Sequence, residues 1–360
     1  MVRNKARAFL FILVLSISAF AQKADKIDDF VLAEMERKHI PAVTIAVVKE
    51  GKVVKTKGYG MANVELNVPA TTETVYKIGS ISKPIIAVGI MMLVEEGKLS
   101  LDDPVSKYLD GTPESWKGIT IRHFLSHTSG VIRESPAFNG DRIQPDIDII
   151  KAAYTAPLVF PTGEKYQYCN VGYFSLAEII SRVGGKPWPE FLAEKIFKPL
   201  GMTSTRTTTT SDLVPNRANG YSFSNGKLLN SSVYAALRPS GAFLSTVGDL
   251  AKFEAALNSG KLLKPEALKQ MWTRFKFTDG KESGYALGWF VGDINGHRLI
   301  NHGGSLSGFR SEFTMLPDDK MTLIVLTNLN ENNPSEIARG IAAIYIPELA
   351  PKPVVPAPVN

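Results

Sequence analysis

The sequence predicts an α+β fold: an antiparallel sheet built from both chain ends, flanked by helices, with a mainly helical lobe inserted between them. Three observations carry this. β-branched runs cluster near the two ends of the 360 residues. Segments of helical periodicity fill the middle. Short turn signals, rather than long crossovers, join the strand-like runs.

From Lys23 to His39, the apolar Ile27, Phe30, Val31, Ala33 and Met35 recur near helical spacing among charges. This predicts an amphipathic helix, stopped by Pro41. Ala42 to Val48 reads as a strand, Glu50-Gly51 as a turn and Lys52 to Lys57 as a second strand, together a hairpin. Ser80 to Glu96 reads as a buried helix. Pro84 sits near its start, where a missing N–H costs little, and Gly97 follows its end. From about 100 to 270, helical segments such as Ser175 to Val183 and Asp249 to Leu257 alternate with loops. Four β-like runs follow: Tyr285 to Val291, Arg298 to His302, Phe309 to Leu316 and Met321 to Asn328. Asn295-Gly296 and Pro317-Asp318-Asp319 supply turns between them. Ser335 to Ile346 closes the fold as a helix, and residues 347–360 form a proline-rich, extended tail. The layout is a sheet lobe of about 24–85 and 270–346 around a helical lobe of about 86–269.

Residues 1–21 stand apart from this fold. Arg3, Lys5 and Arg7 precede an apolar run from Ala8 to Phe20, and Ala19 and Ala21 are small residues where a signal peptidase reads. The pattern predicts a signal peptide cleaved after Ala21, hence a periplasmic or secreted protein. As an uncleaved anchor the run is too short to span a bilayer comfortably. No cysteine follows it for lipid attachment, and no other run approaches spanning length. The net charge of +6 comes from 41 basic and 35 acidic residues. Without three leader cations it is 38 minus 35, or +3. The basic residues are scattered, with no stripe interleaved with aromatics, which argues against nucleic acid. With 44% hydrophobic and 21% charged residues the chain is globular rather than disordered. Its single cysteine, Cys169, allows no internal disulfide.

Three short motifs can carry chemistry. In Gly79-Ser80-Ile81-Ser82-Lys83, a serine and a lysine three apart at a helix start share one face. The helix N-terminus offers free N–H groups for an oxyanion, and the lysine amine reaches the hydroxyl. In Tyr168-Cys169-Asn170, a tyrosine beside a lysine cation loses its proton more readily and can serve as general base, then acid. Asn170 can donate to a substrate carbonyl. In His302-Gly303-Gly304-Ser305, two glycines let a substrate backbone lie against a strand end, and the Ser305 N–H can be a second oxyanion donor. His302 can hydrogen-bond the Tyr168–Lys83 network or a substrate group. Singly, each has a structural reading: Ser80 as a helix cap, Tyr168 as a buried phenol, His302 as a solvated histidine.

Together and in this order, the motifs resemble the serine β-lactamase and penicillin-binding superfamily, closest to its class C β-lactamase, D,D-peptidase and esterase branch. Ser80 and Lys83 match Ser-x-x-Lys. Tyr168 and Asn170 match the Tyr-x-Asn of this branch, and His302-Gly303-Gly304 stands where relatives carry Lys-Thr-Gly. Leu125 to Gly130, Pro239 to Phe253, Gly284 to Trp289 and Gly308 to Ser311 extend the likeness over about 25–346. The resemblance implies a sheet lobe and an all-α lobe with the site between them. It also implies acylation of Ser80, proton movement by Lys83 and Tyr168, an oxyanion held by the N–H groups of Ser80 and Ser305, and release by water. The partner is then a small-molecule or peptide substrate, with no cofactor.

Other residues are weighed against this. His127 tempts as a Ser-His triad member, but by resemblance its loop is structural, bent at Gly130. His39, His123 and His297 lack metal-ligand spacing, so no metal is expected. Cys169 reads as a packed thiol that exposes the site to thiol reagents. Trp289 and Tyr285 read as sheet packing. Two departures bear on substrate. His302 lowers the fixed positive charge near the substrate, and Gly303 lacks the hydroxyl that holds the carboxylate of penicillins and D-peptides in relatives. Both weaken β-lactam hydrolysis and leave esters, or peptides bound differently. Arg310 can compensate the lost charge or act as a surface salt-bridge partner. The expectation is a hydrolase of ester or amide bonds. A β-lactamase or D,D-carboxypeptidase, and a non-turnover β-lactam or cell-wall sensor, are the rivals.

Overall fold

The computed structural model describes residues 26–350 except 210, 233–237 and 242. Residues 1–25, with the expected signal peptide, and 351–360 lie outside the described residues.

Alternating apolar residues at the chain ends build the main sheet. In chain order the strands are β1 (Ala42–Lys49), β2 (Lys52–Asn63), β3 (Val68–Pro69), β4 (Tyr76–Lys77), β5 (Tyr221–Ser224), β6 (Lys227–Asn230), β7 (Leu244–Ser245), β8 (Phe290–Ile294), β9 (His297–Leu306), β10 (Phe309–Leu316) and β11 (Met321–Thr327). Seven of them form one sheet in the order β3-β2-β1-β11-β10-β9-β8. The central pair β1 and β11 joins the two chain ends antiparallel, with Ile45 opposite Val325. Both faces of β1 are buried. Val43, Ile45 and Val47 enter one apolar cluster, while Ala42, Ala46 and Val48 enter another. The first cluster lies under the terminal helices α1 (26–38) and α10 (Pro334–Tyr345).

The second, larger cluster joins the sheet to the inserted lobe. Its helices are α2 (Ser82–Glu95), α3 (Ile121–Leu125), α4 (Asp146–Ala153), α5 (Asn170–Gly184), α6 (Trp188–Leu192), α7 (Lys198–Leu200), α8 (Val247–Asn258) and α9 (Pro265–Met271). Helix α2 is buried on nearly every side, from Ile85 to Leu93, as an all-apolar helix must be. Among the described residues no helix is long and apolar enough to cross a membrane.

Four elements differ from expectation. The helix expected from Ser80 starts at Ser82, after a 3-10 turn over Gly79–Ile81. The strand expected at Tyr285 starts at Phe290. Tyr285 to Trp289 instead form a tight turn, closed by Ala286 N–H donating to Trp289 O at 2.8 Å. The middle of the chain also holds the hairpin β5–β6, whose Tyr221 leaves the helical lobe to bridge to Leu329 and join the sheet's own core. The tail begins with a 3-10 turn, Pro347–Leu349, because Leu349 is buried against the sheet cluster.

Candidate active site

The nucleophile turn is seated by two glycines. Gly79 has φ of +52°, and a Cβ there would stand 2.6 Å from Ser305 N. A Cβ on Gly304 would stand 2.0 Å from Ile78 O and 2.1 Å from Ser311 Oγ. The bare backbones therefore let the turn and β9 touch. Ser311 Oγ–H donates to Ile78 O at 2.7 Å, tying the same turn to β10. Ser305 is thus held beside the residue that precedes Ser80. Gly304→Ala is expected to cost about 1–3 kcal/mol by overpacking, lowering the melting temperature and Ser80-dependent turnover together. A fully active, equally stable variant would contradict this seating.

Lys83 projects from the first turn of α2 and is wholly buried. Its Nζ lies 3.1 Å from Ser80 Oγ and donates to Ser240 O at 2.8 Å. Burial holds its pKa well below the usual lysine range. The Arg238 charge adds to this, and Glu134 opposes it. The neutral amine is favoured, with a lone pair beside the serine hydroxyl.

Tyr168 lies on the loop that enters α5. Lys83 Nζ stands 4.6 Å and the Arg133 guanidinium 5.2 Å from its ring centre. Burial raises the Tyr168 pKa, and the neighbouring Ser80 hydroxyl offsets this only in part, against the expectation of an easily ionised tyrosine. Desolvation disfavours the charged form of both groups and so pushes the pair toward amine and phenol, away from ammonium and phenolate.

Asn170 is the first residue of α5, and its Nδ2 donates to the Glu134 carboxylate. Glu134 also binds Arg238 at 2.9 Å. One N–H of the Asn170 amide remains for a ligand. Neither Glu134, Arg238 nor the Ser240 carbonyl was found by motif reading. They carry no local signature, although Ser240 falls in the Pro239 to Phe253 segment.

His302 is buried, not solvated. Its Nδ1–H donates to Gly303 O at 2.7 Å, so Nε2 accepts the Tyr285 hydroxyl at 3.0 Å. Its bonds go to Tyr285 rather than to the Tyr168–Lys83 pair. Burial, with Lys83 adding to it, pushes its pKa down to about 3. It is a neutral spacer where a fixed cation would otherwise stand. Tyr285 is therefore a site-supporting residue as well as a packing one, while Trp289 packs edge-on to Phe313.

His127 is not a base for Ser80. Its Nδ1 accepts the Cys169 N–H at 3.0 Å, and its ring lies 4.2 Å from that of Tyr168. It braces the tyrosine loop, with Gly130 bending its own loop at φ +78°. Cys169 is fully buried. Its Sγ caps α5 by accepting the Gly172 N–H at 3.3 Å. Burial pushes the thiol up to about 12. Sensitivity to thiol reagents is removed by this burial. Arg310 is neither a surface ion pair nor a free charge. Its guanidinium donates to the carbonyls of Leu306 and Phe309 and to Asn330 Oδ1.

Ser80, Glu134, Tyr168, Asn170, Arg238 and His302 line a cleft of about 620 Å³. Strand β8 pairs with β9 only as far as Asn301, so residues 302–306 present an edge without a strand partner on that side among the described residues. Such an edge can pair with an extended ligand backbone. Among the described residues no group of three His, Cys, Asp or Glu is placed to hold a metal.

Comparison with known proteins agrees with this geometry. The Beta-lactamase family model matches residues 27–346. Penicillin-binding protein 4* of Bacillus subtilis is 27% identical over 325 residues, covering 84% of this chain and 71% of that protein. Protein flp of Staphylococcus aureus is 30% identical over 321 residues, covering 85% of this chain and 63% of its own length. The octameric penicillin-binding protein homologue of Pyrococcus abyssi superposes with a TM-score of 0.80 at 31% identity, over 90% of this chain and 77% of that one. The D-amino acid amidase of Ochrobactrum anthropi shares the fold with a TM-score of 0.77 at 22% identity, over 91% and 98% of the two chains. With the Ser80–Lys83 pair at the seam between sheet and helical lobe, the chain belongs to the Beta-lactamase family and is a serine hydrolase.

Proposed function

We propose that this chain is an exported hydrolase that cleaves ester or amide bonds through an acyl-Ser80 intermediate, acting on D-amino-acid or cell-wall-derived compounds. The observation that carries the reading is Lys83 Nζ, 3.1 Å from Ser80 Oγ, in a pocket that favours the free amine. Lys83 takes the Ser80 proton as Oγ bonds to the carbonyl carbon. The backbone N–H groups of Ser80 and Ser305 hold the oxyanion. The proton passes through Lys83 and the Tyr168 hydroxyl to the leaving oxygen or nitrogen, whose bond to carbon then breaks. Water, deprotonated by the same pair, attacks the acyl carbon and frees Ser80. Asn170 offers its remaining amide N–H to the substrate. Support for an extended, amide-bearing substrate comes from the open edge at 302–306. Support for export comes from the leader pattern of residues 1–21.

The test uses protein starting at Gln22 with p-nitrophenyl butyrate, a D-amino-acid amide, a D-Ala-D-Ala peptide and a chromogenic cephalosporin. Intact mass is followed in parallel. Turnover of ester and D-amide, with the cephalosporin slow, is expected. A cephalosporin cleaved fastest would make the chain a β-lactamase, and an adduct that never leaves Ser80 would make it a sensor. The absence of both turnover and adduct would overturn the reading. Export is tested separately by N-terminal sequencing of the periplasmic or secreted product, which should begin at Gln22. A retained leader would overturn export alone.

A further inference from the structure

The cleft holds a carboxyl group that the acylation chemistry does not use. Glu312 sits on β10 directly across from Gly303 on β9 and is only 4% exposed. Its Oε1 accepts Asn301 Nδ2 at 2.9 Å and the Thr314 hydroxyl at 2.6 Å. Its Oε2 has no hydrogen-bond partner among the described residues. A Cβ on Gly303 would find Glu312 Oε2 as its nearest neighbour, at 3.2 Å. The space left by the missing side chain of Gly303 is therefore faced by one oriented, unpaired carboxyl oxygen on the cleft wall.

The position along β9 says which part of a substrate meets it. The leaving group takes its proton from the Tyr168–Lys83 pair. The ring of His302, next to Gly303, lies 6.2 Å from the Tyr168 ring. Along β9, Gly303 lies between His302 on the Tyr168 side and Ser305 on the Ser80 side, so a substrate backbone paired to this edge would set its leaving-group end beside Gly303. The cleft cations do not neutralise this corner. Arg310 is turned onto backbone carbonyls, Arg238 is paired with Glu134, and Arg133 lies over the Tyr168 ring.

We propose that Glu312 selects the leaving group: its Oε2 accepts an ammonium or other N–H donor in the space beside Gly303 and disfavours a carboxylate there. The inference rests on the acyl-Ser80 reading and names the leaving-group class for that same site. A carboxylate brought beside the ionised Glu312 meets a like charge. Burial raises the pKa of Glu312, and a bound cation offsets that cost.

The experiment compares N-acetyl-D-alanyl esters of 3-aminopropanol and of 3-hydroxypropanoate, with the uncharged butyl ester as reference, in wild type and Glu312→Gln. The wild type should prefer the cationic over the anionic ester by about 10-fold or more in kcat/KM. Glu312→Gln should shrink that ratio to within about 2-fold, and its melting temperature is recorded beside it. If the variant does not fold, the wild-type ratio decides, and it should shrink as salt rises. Equal rates or an anionic preference in the wild type would overturn the proposal and point to Arg133. An unchanged ratio in folded Glu312→Gln would also overturn it. Turnover without selectivity sinks this inference alone. No turnover of any ester and no acyl adduct would sink the acyl-Ser80 reading with it.

Discussion

Ser80→Ala is expected to lower kcat for p-nitrophenyl butyrate by at least on the order of 10⁴-fold, because it removes the only atom that bonds to the carbonyl carbon. The same change should leave the fold intact. Ser80 is half-buried, and its loss frees Lys83 Nζ from one contact while the bond to Ser240 O at 2.8 Å remains. A melting temperature within about 2 °C of wild type is the accompanying expectation. Equal turnover in both proteins would place the nucleophile elsewhere. The buried Cys169, with its thiol pushed up to about 12, is a poor candidate for it.

Lys83→Met should cost about 10²–10⁴-fold in kcat by removing the general base. Its pH profile carries the stronger test. The Lys83 pKa is depressed, so the amine protonates, and the base is lost, only as pH falls through that depressed value. In the wild type kcat/KM should therefore climb with pH on a limb lying well below the range of a free lysine. Residual activity of Lys83→Met should lack the limb. Stability moves in the same direction with pH. Between the folded and unfolded pKa values the unfolded chain binds the extra proton, so stability rises with pH and the buried lysine is a burden below pH 10.5. Methionine removes that burden at the cost of one hydrogen bond to Ser240 O, about 1 kcal/mol. The melting temperature should hold or rise while activity falls. A wild-type limb in the ordinary lysine range would show that the Lys83 pKa is not depressed, and a limb that persists in Lys83→Met would show that the amine is not the base.

Local patterns made much of the fold legible. The expected strand from Phe309 to Leu316 is β10 residue for residue, and Met321 to Asn328 overshoots β11 by one. Strands buried on a regular sheet announce themselves by composition and by the turns that bound them. The run at Tyr285 failed because an aromatic, β-branched composition also suits a buried turn. Tyr285 there serves as hydrogen-bond donor to His302. The hairpin at Tyr221 is local, its strands pairing with each other around Asn225-Gly226, and only its bridge to Leu329 depends on a residue more than a hundred positions away.

That Ser80 and Lys83 come together was readable because a spacing of three residues at a helix start is a local geometric fact. The order of the three motifs belongs to the chain alone. The backbone contact that Gly79 and Gly304 permit does not, and neither does protonation. Whether Lys83 is an ammonium or an amine, and whether Tyr168 is phenol or phenolate, depends on how much water the surrounding packing excludes. It depends too on which charges, such as Arg238 and Glu134, the fold brings near from distant positions. Residue type and spacing assign the groups that react. Desolvation and long-range charge, which exist only once the chain has folded, assign the proton each one holds.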